Sequence, residues 1–398
     1  MELTRENYNE TAKELLAFLQ NSPSCFHAVK NVTDMLTAAG FTEVKEEESW
    51  ELKAGGRYFV TRNQSSVIAF KIPGKDFKGF QIMASHSDSP AFKIKENPEM
   101  EAAHCIKLNV EKYGGMICAP WFDRPLSIAG RLVVSEGSRL VSKLVNVDRD
   151  LVMIPNLAIH MNRQVNDGYA YNAQKDMLPV FGSLEAKGTF MSLMAEAAGV
   201  KEEDILGHDL FLYNRQPGTI WGADETFLSC GRLDDLQCAF SSVKAVIEGE
   251  NSSSVSVAAI FDNEEVGSGT KQGADSTFLK DVLERINDSL GRTREQYLMA
   301  VASSFMISAD NAHAVHPNHA DVADPTNRSD IAGGSTLGNI SNAHVSLNTV
   351  DIGLPQFAMH SPYETAGVKD TCYLIKAATE FFNSCIVAEG NGNYTLGE

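Results

Sequence analysis

Two short, nearly continuous apolar runs constrain this chain most, residues 80–85 and 255–261, each ending on a cluster of polar, ligand-type side chains. A strand without polar alternation must be covered on both faces, as in parallel sheets flanked by helices. Residues 65–72 have the same texture. Helical stripes precede these runs: Tyr8, Ala12, Leu15, Leu16 and Leu19 mark one, and Phe26, Val29, Val32 and Leu36, stopped by Gly40, mark a second. From Leu233 onward the spacing predicts helix over about 235–248, strand over 255–261, helix over 276–290, strands over 305–308 and 354–359, and a last helix over 369–384. That alternation predicts an α/β core. Between residues 92 and 230 the texture changes to short alternating strands (106–110, 132–134, 140–145) with Gly, Pro and Asn turns and one helical patch near 189–198. The expected division is therefore a core of residues 1–91 plus 231–398, interrupted by a β-rich domain of residues 92–230.

The polar clusters carry the chemistry. Residues 80–85 lead into His86, Ser87 and Asp88, and residues 255–261 into Asp262, Asn263, Glu264 and Glu265. Phe305 onward leads to Asp310, and 354–359 to His360. Ligands of open α/β sheets bind beyond the carboxyl ends of the strands, so four segments are expected around one site. Asp234, in Gly231-Arg232-Leu233-Asp234-Asp235-Leu236, stands at a predicted helix start. Two imidazoles and several carboxylates are the donor mix of a pair of zinc, manganese or cobalt ions. Singly, each has a plainer reading: His86 as a hydrogen-bonded strand-end histidine, Asp234 as a helix N-cap, Glu264 and Glu265 as solvated acids, His313 and His316 as loop residues. Jointly they favour metal, because adjacent carboxylates at the end of a buried strand repel unless a cation separates them. Asp88, two residues from His86, is also placed to fix the imidazole tautomer.

Other function classes are disfavoured. With 34 Lys and Arg against 52 Asp and Glu, the net charge of -18 repels nucleic acid and anionic lipid. No apolar run approaches the ~20 residues that cross a bilayer. The seven cysteines are scattered without a C-x-x-C pair and read as reduced thiols of a soluble, cytoplasmic protein. Residues 267–273 match neither the dinucleotide fingerprint nor the P-loop. Residues 333–338 miss the nucleophile elbow and read as a tight backbone turn lining a site.

The residues that carry a resemblance are Ala84-Ser85-His86-Ser87-Asp88-Ser89-Pro90, Ile154-Pro155-Asn156-Leu157-Ala158-Ile159-His160, Arg232-Leu233-Asp234-Asp235, Asp262-Asn263-Glu264-Glu265-Val266-Gly267-Ser268, Ser308-Ala309-Asp310 through His316-Pro317, residues 333–338, and Ala358-Met359-His360-Ser361. In this order they resemble the aspartyl aminopeptidase family of cocatalytic metallo-aminopeptidases. The resemblance implies a three-layer α/β metallopeptidase core with an inserted β-rich dimerisation domain, and self-association as a dimer or a dodecamer. It implies two divalent ions, zinc first and manganese or cobalt as the other candidates. One would be held by His86 and Asp310, the other by Glu265 and His360, with Asp234 bridging. Glu264 would be the general base acting on a metal-activated bridging water, and Asp88 would orient His86. His160 would reach a neighbouring subunit's active site, and His313 and His316 would contact substrate. The implied activity is release of N-terminal residues, Asp or Glu among them, from peptides. A dinuclear-metal carboxypeptidase or deacylase, and a non-catalytic assembly protein, are the alternatives on the same scaffold. Two departures from the family accompany this: Asp324-Pro325-Thr326 runs almost directly into Asn327-Arg328-Ser329-Asp330 where relatives carry a further loop and strand, and Asp235 stands where Asn is frequent.

Overall fold

In the computed structural model, which describes residues 3–331, 333, 336–338 (backbone only) and 345–397, the chain divides into two compact units. Residues 1–88, 218–359 and 364–398 form the first; residues 89–217 and 360–363 form the second.

The first unit is organised by an eight-stranded sheet. Its order is Thr42–Glu43, Arg57–Arg62, Ser66–Lys71, Val255–Phe261, Phe80–His86, Phe305–Ala309, Asn348–Gly353 and Thr336–Gly338. The four strands from Val255–Phe261 to Asn348–Gly353 run parallel, so their carboxyl ends lie side by side. Every residue of Val255–Phe261 is buried, and its side chains alternate between two cores. Ala258 and Ile260 join Val67, Ala69 and the helices Arg5–Gln20, Cys25–Ala38, Leu233–Glu248 and Asp370–Asn383. Val255, Val257, Ala259 and Phe261 join Ile68, Phe70 and the helices Phe278–Ser289 and Arg294–Ala302 on the other face. The sheet is thus the middle of three layers, which is why these strands show no polar alternation in the sequence.

A five-stranded sheet (Thr219–Trp221, Phe227–Cys230, Glu364–Gly367, Pro355–Phe357, Ala312–His313) completes this unit. Here the structure differs from the expected strand over 354–359. Only Pro355–Phe357 is strand, and it lies in this second sheet, so His360 does not follow a strand of the main one. The chain changes sheet at Gly353, where a Cβ would lie 2.1 Å from the Asp310 carbonyl oxygen, so only glycine permits the crossing.

The second unit is a six-stranded antiparallel sheet: Arg139–Asn146, Leu126–Glu136, Ile205–Asn214, Ala91–Ala102, Cys105–Tyr113, Val180–Ser183. Its inward residues, Phe92, Leu108, Val110, Ile128, Leu132, Leu210 and Leu212, pack with Trp121 and with Phe190 and Met194 of the helix Phe190–Ala198. The other face is mixed: Lys93 and Arg131 both pair with Asp209 there, beside the Phe211 and Tyr113 rings. Among the described residues no helix is long and apolar enough to cross a membrane.

Candidate metal centre

His86 is the last residue of the strand Phe80–His86 and is 4% exposed. Its Nδ1 lies 3.1 Å from the backbone carbonyl oxygen of Asp88, which can only accept, so Nδ1 carries the hydrogen. The lone pair is left on Nε2. That atom faces Asp234 Oδ1 at 3.4 Å and Asp310 Oδ1 at 3.7 Å. Ligands about 2.1 Å from a tetrahedral zinc are separated by about 3.4 Å, so the spacing fits an ion between these three groups. Their ligand atoms lie within 4.8 Å of one another. Burial alone would lower the proton affinity of His86, but hydrogen bonding to Asp234, Asp310 and Asp88 overrides it and raises the pKa well above its ordinary value. A proton is here favoured where a divalent ion fits, and an N/O donor set of this kind suits zinc.

Each carboxylate is placed by local structure. Asp234 and Asp235 depart from helical geometry at the start of the helix Leu233–Glu248, and the peptide between them is cis. The Asp234 side chain does not cap this helix, in contrast to the plainer reading of the sequence; its amide instead donates to Glu364 Oε2 at 3.2 Å. Asp235 Oδ2 accepts the backbone N–H of His86 at 3.1 Å. Burial, opposed by the His86 charge and reinforced by Asp310 and Asp234, raises the Asp235 pKa well above its usual range. Asp310 follows Phe305–Ala309, and its amide donates to Ile352 O at 3.0 Å.

Beyond Val255–Phe261 the chain turns at Asn263, whose backbone is left-handed (φ 62°, ψ 24°). The turn aims the amides of Glu264 and Glu265 at Asp88, which accepts them on Oδ1 and Oδ2 at 3.1 and 3.2 Å. Asp88 thus ties the His86 strand end to the turn carrying both glutamates, and His86, Glu264 and Glu265 also offer ligand atoms within 4.8 Å of one another. Glu264 is exposed, yet partial desolvation raises its pKa, opposed by His86 and helped by Asp310.

The remaining expected residues come from other segments. His313 is exposed on the edge strand Ala312–His313. His316 is exposed, accepts the Asn318 N–H on Nδ1 at 3.2 Å, and lies 5.1 Å from the His319 ring, a neighbour the sequence reading passed over. His160 is exposed in the second unit. His360 opens the segment 360–363 of that unit, where its carbonyl accepts the Ile117 N–H at 3.1 Å. The turn expected over 333–338 falls largely on residues outside those described. Glu364 and Asn311 were not singled out by sequence; their roles depend on hydrogen bonds between distant segments, which no local spacing signals.

Comparison with known proteins agrees with this chemistry. A family model described as aminopeptidase I zinc metalloprotease (M18) matches residues 18–332 and 324–382. An M18 family aminopeptidase 2 of Clostridium acetobutylicum is 44% identical over 432 aligned positions, covering 95% of this chain and 100% of that protein. A chain of the cryo-EM structure of the Ape4 and Nbr1 complex is 30% identical with a TM-score of 0.90, over 96% of this chain and 88% of that one. A chain of the S. cerevisiae mApe1 dodecamer is 26% identical with a TM-score of 0.82, over 94% and 97%. The 432 aligned positions exceed the 398 residues of this chain, so the Clostridium protein carries sequence this chain lacks. The two family matches overlap at 324–332, the junction noted in the sequence. There Asp324 Oδ1 accepts the backbone N–H groups of Thr326 and Asn327 at 2.8 and 2.6 Å, closing a tight polar turn.

Proposed function

The chain belongs to the M18 family of aminopeptidase I zinc metalloproteases, and from that premise we propose that it releases N-terminal residues, Asp and Glu among them, from peptides at a centre of two divalent ions. One observation carries this reading: the Nε2 lone pair of His86 faces Asp234 and Asp310 at 3.4 and 3.7 Å, the spacing of ligands around a metal. His86 and Asp310 would hold one zinc and Glu265 and His360 the other, with Asp234 shared between the two; manganese and cobalt are the other candidates. Bound there, such ions polarise the scissile carbonyl and acidify a water.

The chain's own groups do the rest. Glu264 takes the water's proton on a carboxylate oxygen and returns it to the leaving amine, a role its raised proton affinity suits. Asp88 locks the His86 tautomer through its backbone carbonyl and holds the Glu264 and Glu265 amides through its carboxylate. His313 and His316 contact substrate. His160 serves the active site of a neighbouring copy, so a dimer is the smallest complete enzyme and a dodecamer its further assembly. The dodecameric arrangement of the related S. cerevisiae protein supports self-association. The expected compartment is the cytoplasm.

The test is hydrolysis of a panel of free-amine aminoacyl chromogenic substrates, with N-acylated versions as controls. Chelator should abolish turnover, and zinc, manganese or cobalt should restore it. Glu264→Gln should lower kcat by at least about a hundredfold, the usual weight of a general base. Unchanged activity in that variant sinks the base assignment, and cleavage of the blocked substrates points to a deacylase instead.

A further inference from the structure

Behind the cluster of His86, Asp234 and Asp310 lies a patch of buried amides that no step of the reaction uses. Asn311 is 7% exposed, Gln237 and Cys238 are 0% exposed, and Gln356 is 2% exposed. The Nδ2 of Asn311 donates to the Leu233 carbonyl at 3.0 Å and to Gln237 Oε1 and Gln356 Oε1 at 3.1 Å each. Its Oδ1 accepts the Cys238 thiol at 3.1 Å. Gln237 Nε2 in turn donates to Thr371 Oγ1 at 2.9 Å, which anchors the patch to the helix Asp370–Asn383.

The position of this amide in the chain gives it a use. Asn311 directly follows Asp310, and Leu233 directly precedes Asp234. Asp310 comes from the main sheet and Asp234 from the start of a helix. The bond from Asn311 Nδ2 to Leu233 O joins the two segments one residue away from each carboxylate. Asp234 and Asp310 face the same nitrogen of His86, and like charges at this range push apart unless a cation or rigid backbone holds them. A buried amide bonded on both of its ends resists that separation, because any movement strands a polar group without water.

We infer that Asn311 is a positioning residue that sets the separation of Asp234 and Asp310, and with it the affinity of the centre for its ion. The inference rests on the reading that these two carboxylates and His86 bind a divalent metal. Outer partners of this kind typically change metal affinity by 10- to 100-fold when removed.

The experiment uses the full chain, stripped of metal and titrated with zinc against a competing chelator. Asn311→Leu keeps the volume and removes every hydrogen bond of the amide; zinc binding should weaken by about 10- to 100-fold. Gln356→Leu removes one acceptor of the same amide but leaves the Asn311–Leu233 bond that joins the two carboxylate-bearing segments, and should stay within about threefold of wild type. The melting temperature of each metal-free protein is recorded alongside. If Asn311→Leu does not fold, Asn311→Ser, which supplies a small polar hydroxyl too short to remake the amide's bonds, is measured against the same criteria. Wild-type zinc affinity in the Asn311 variant overturns the inference, as does equal weakening by Gln356→Leu, which would mark a general packing defect. Failure of the wild-type chain to bind zinc would instead remove the metal reading itself.

Discussion

Asn263 shows how much a single backbone conformation decides here. Its left-handed φ of 62° reverses the chain after a buried strand, and its Oδ1 accepts from Thr270 Oγ1 and Gln272 Nε2, both at 2.8 Å. Alanine at this position loses both bonds and also meets the left-handed penalty of about 1–2 kcal/mol; glycine loses the bonds alone. Asn263→Gly should therefore be more stable to urea than Asn263→Ala by about 1 kcal/mol and should keep the larger share of activity. Equal stability would show that φ is not what the residue supplies. The residues proposed to hold metal are legible in the sequence because they are few, polar and mostly placed at the ends of apolar runs. Their supports are legible only when they are close in sequence, as Asp88 is to His86. Glu364 reaches the Asp234 amide from 130 residues away, and nothing near Glu364 in the chain announces it.

Among elements, the strands that lost their polar alternation were the easiest to read, since full burial leaves a continuous apolar word. The run expected over 255–261 is the observed strand Val255–Phe261. Strands of three residues carry no such word, and the expected strand over 354–359 shrinks to Pro355–Phe357 in another sheet. The helix Arg294–Ala302 went unread because its stripe is weak: Tyr297 and Ala300 are buried while Leu298 and Met299 face solvent. Its signal was the capping box of Thr293 and Gln296. The helix Cys25–Ala38 contains a half-buried histidine, His27, whose Nδ1 lies 2.8 Å from Ser24 Oγ. Burial, then the Arg232 charge, lowers its pKa from 6.5 to about 4. Between these values the unfolded chain binds a proton that the native chain does not. The stability His27 protects is complete above pH 6.5 and falls as pH drops toward 4, by at most about 3 kcal/mol. His27→Gln should lose less stability than wild type when urea melts at about pH 7 and about pH 4.5 are compared; an equal loss would clear this histidine of any part in acid sensitivity.

At the scale of the molecule, the change of texture after residue 91 signals an insertion, but the return of residues 360–363 to the second unit does not show in the sequence. That return is made by long-range bonds such as Asn214 Nδ2 to the Pro362 carbonyl at 3.2 Å. The surplus of acid groups, which gives the chain its charge of -18, is concentrated in part around His86. On the proposed reading, a divalent ion bound there would relieve local repulsion and favour the native state. Zinc at 100 times its dissociation constant should therefore raise the unfolding free energy by about 2.7 kcal/mol over the chelated protein. Indifference of the urea midpoint to saturating zinc would count against the centre. The order of strands in the main sheet has a consequence for how the protein is made. Val255–Phe261 sits between Ser66–Lys71 and Phe80–His86, so two hydrophobic strands leave the ribosome and then wait for their central neighbour through about 170 further residues of synthesis. At about 5–20 residues per second that delay is about 10–30 s. Throughout it the nascent chain presents open strand edges, and a chaperone or an early collapse onto the first two helices must shield them.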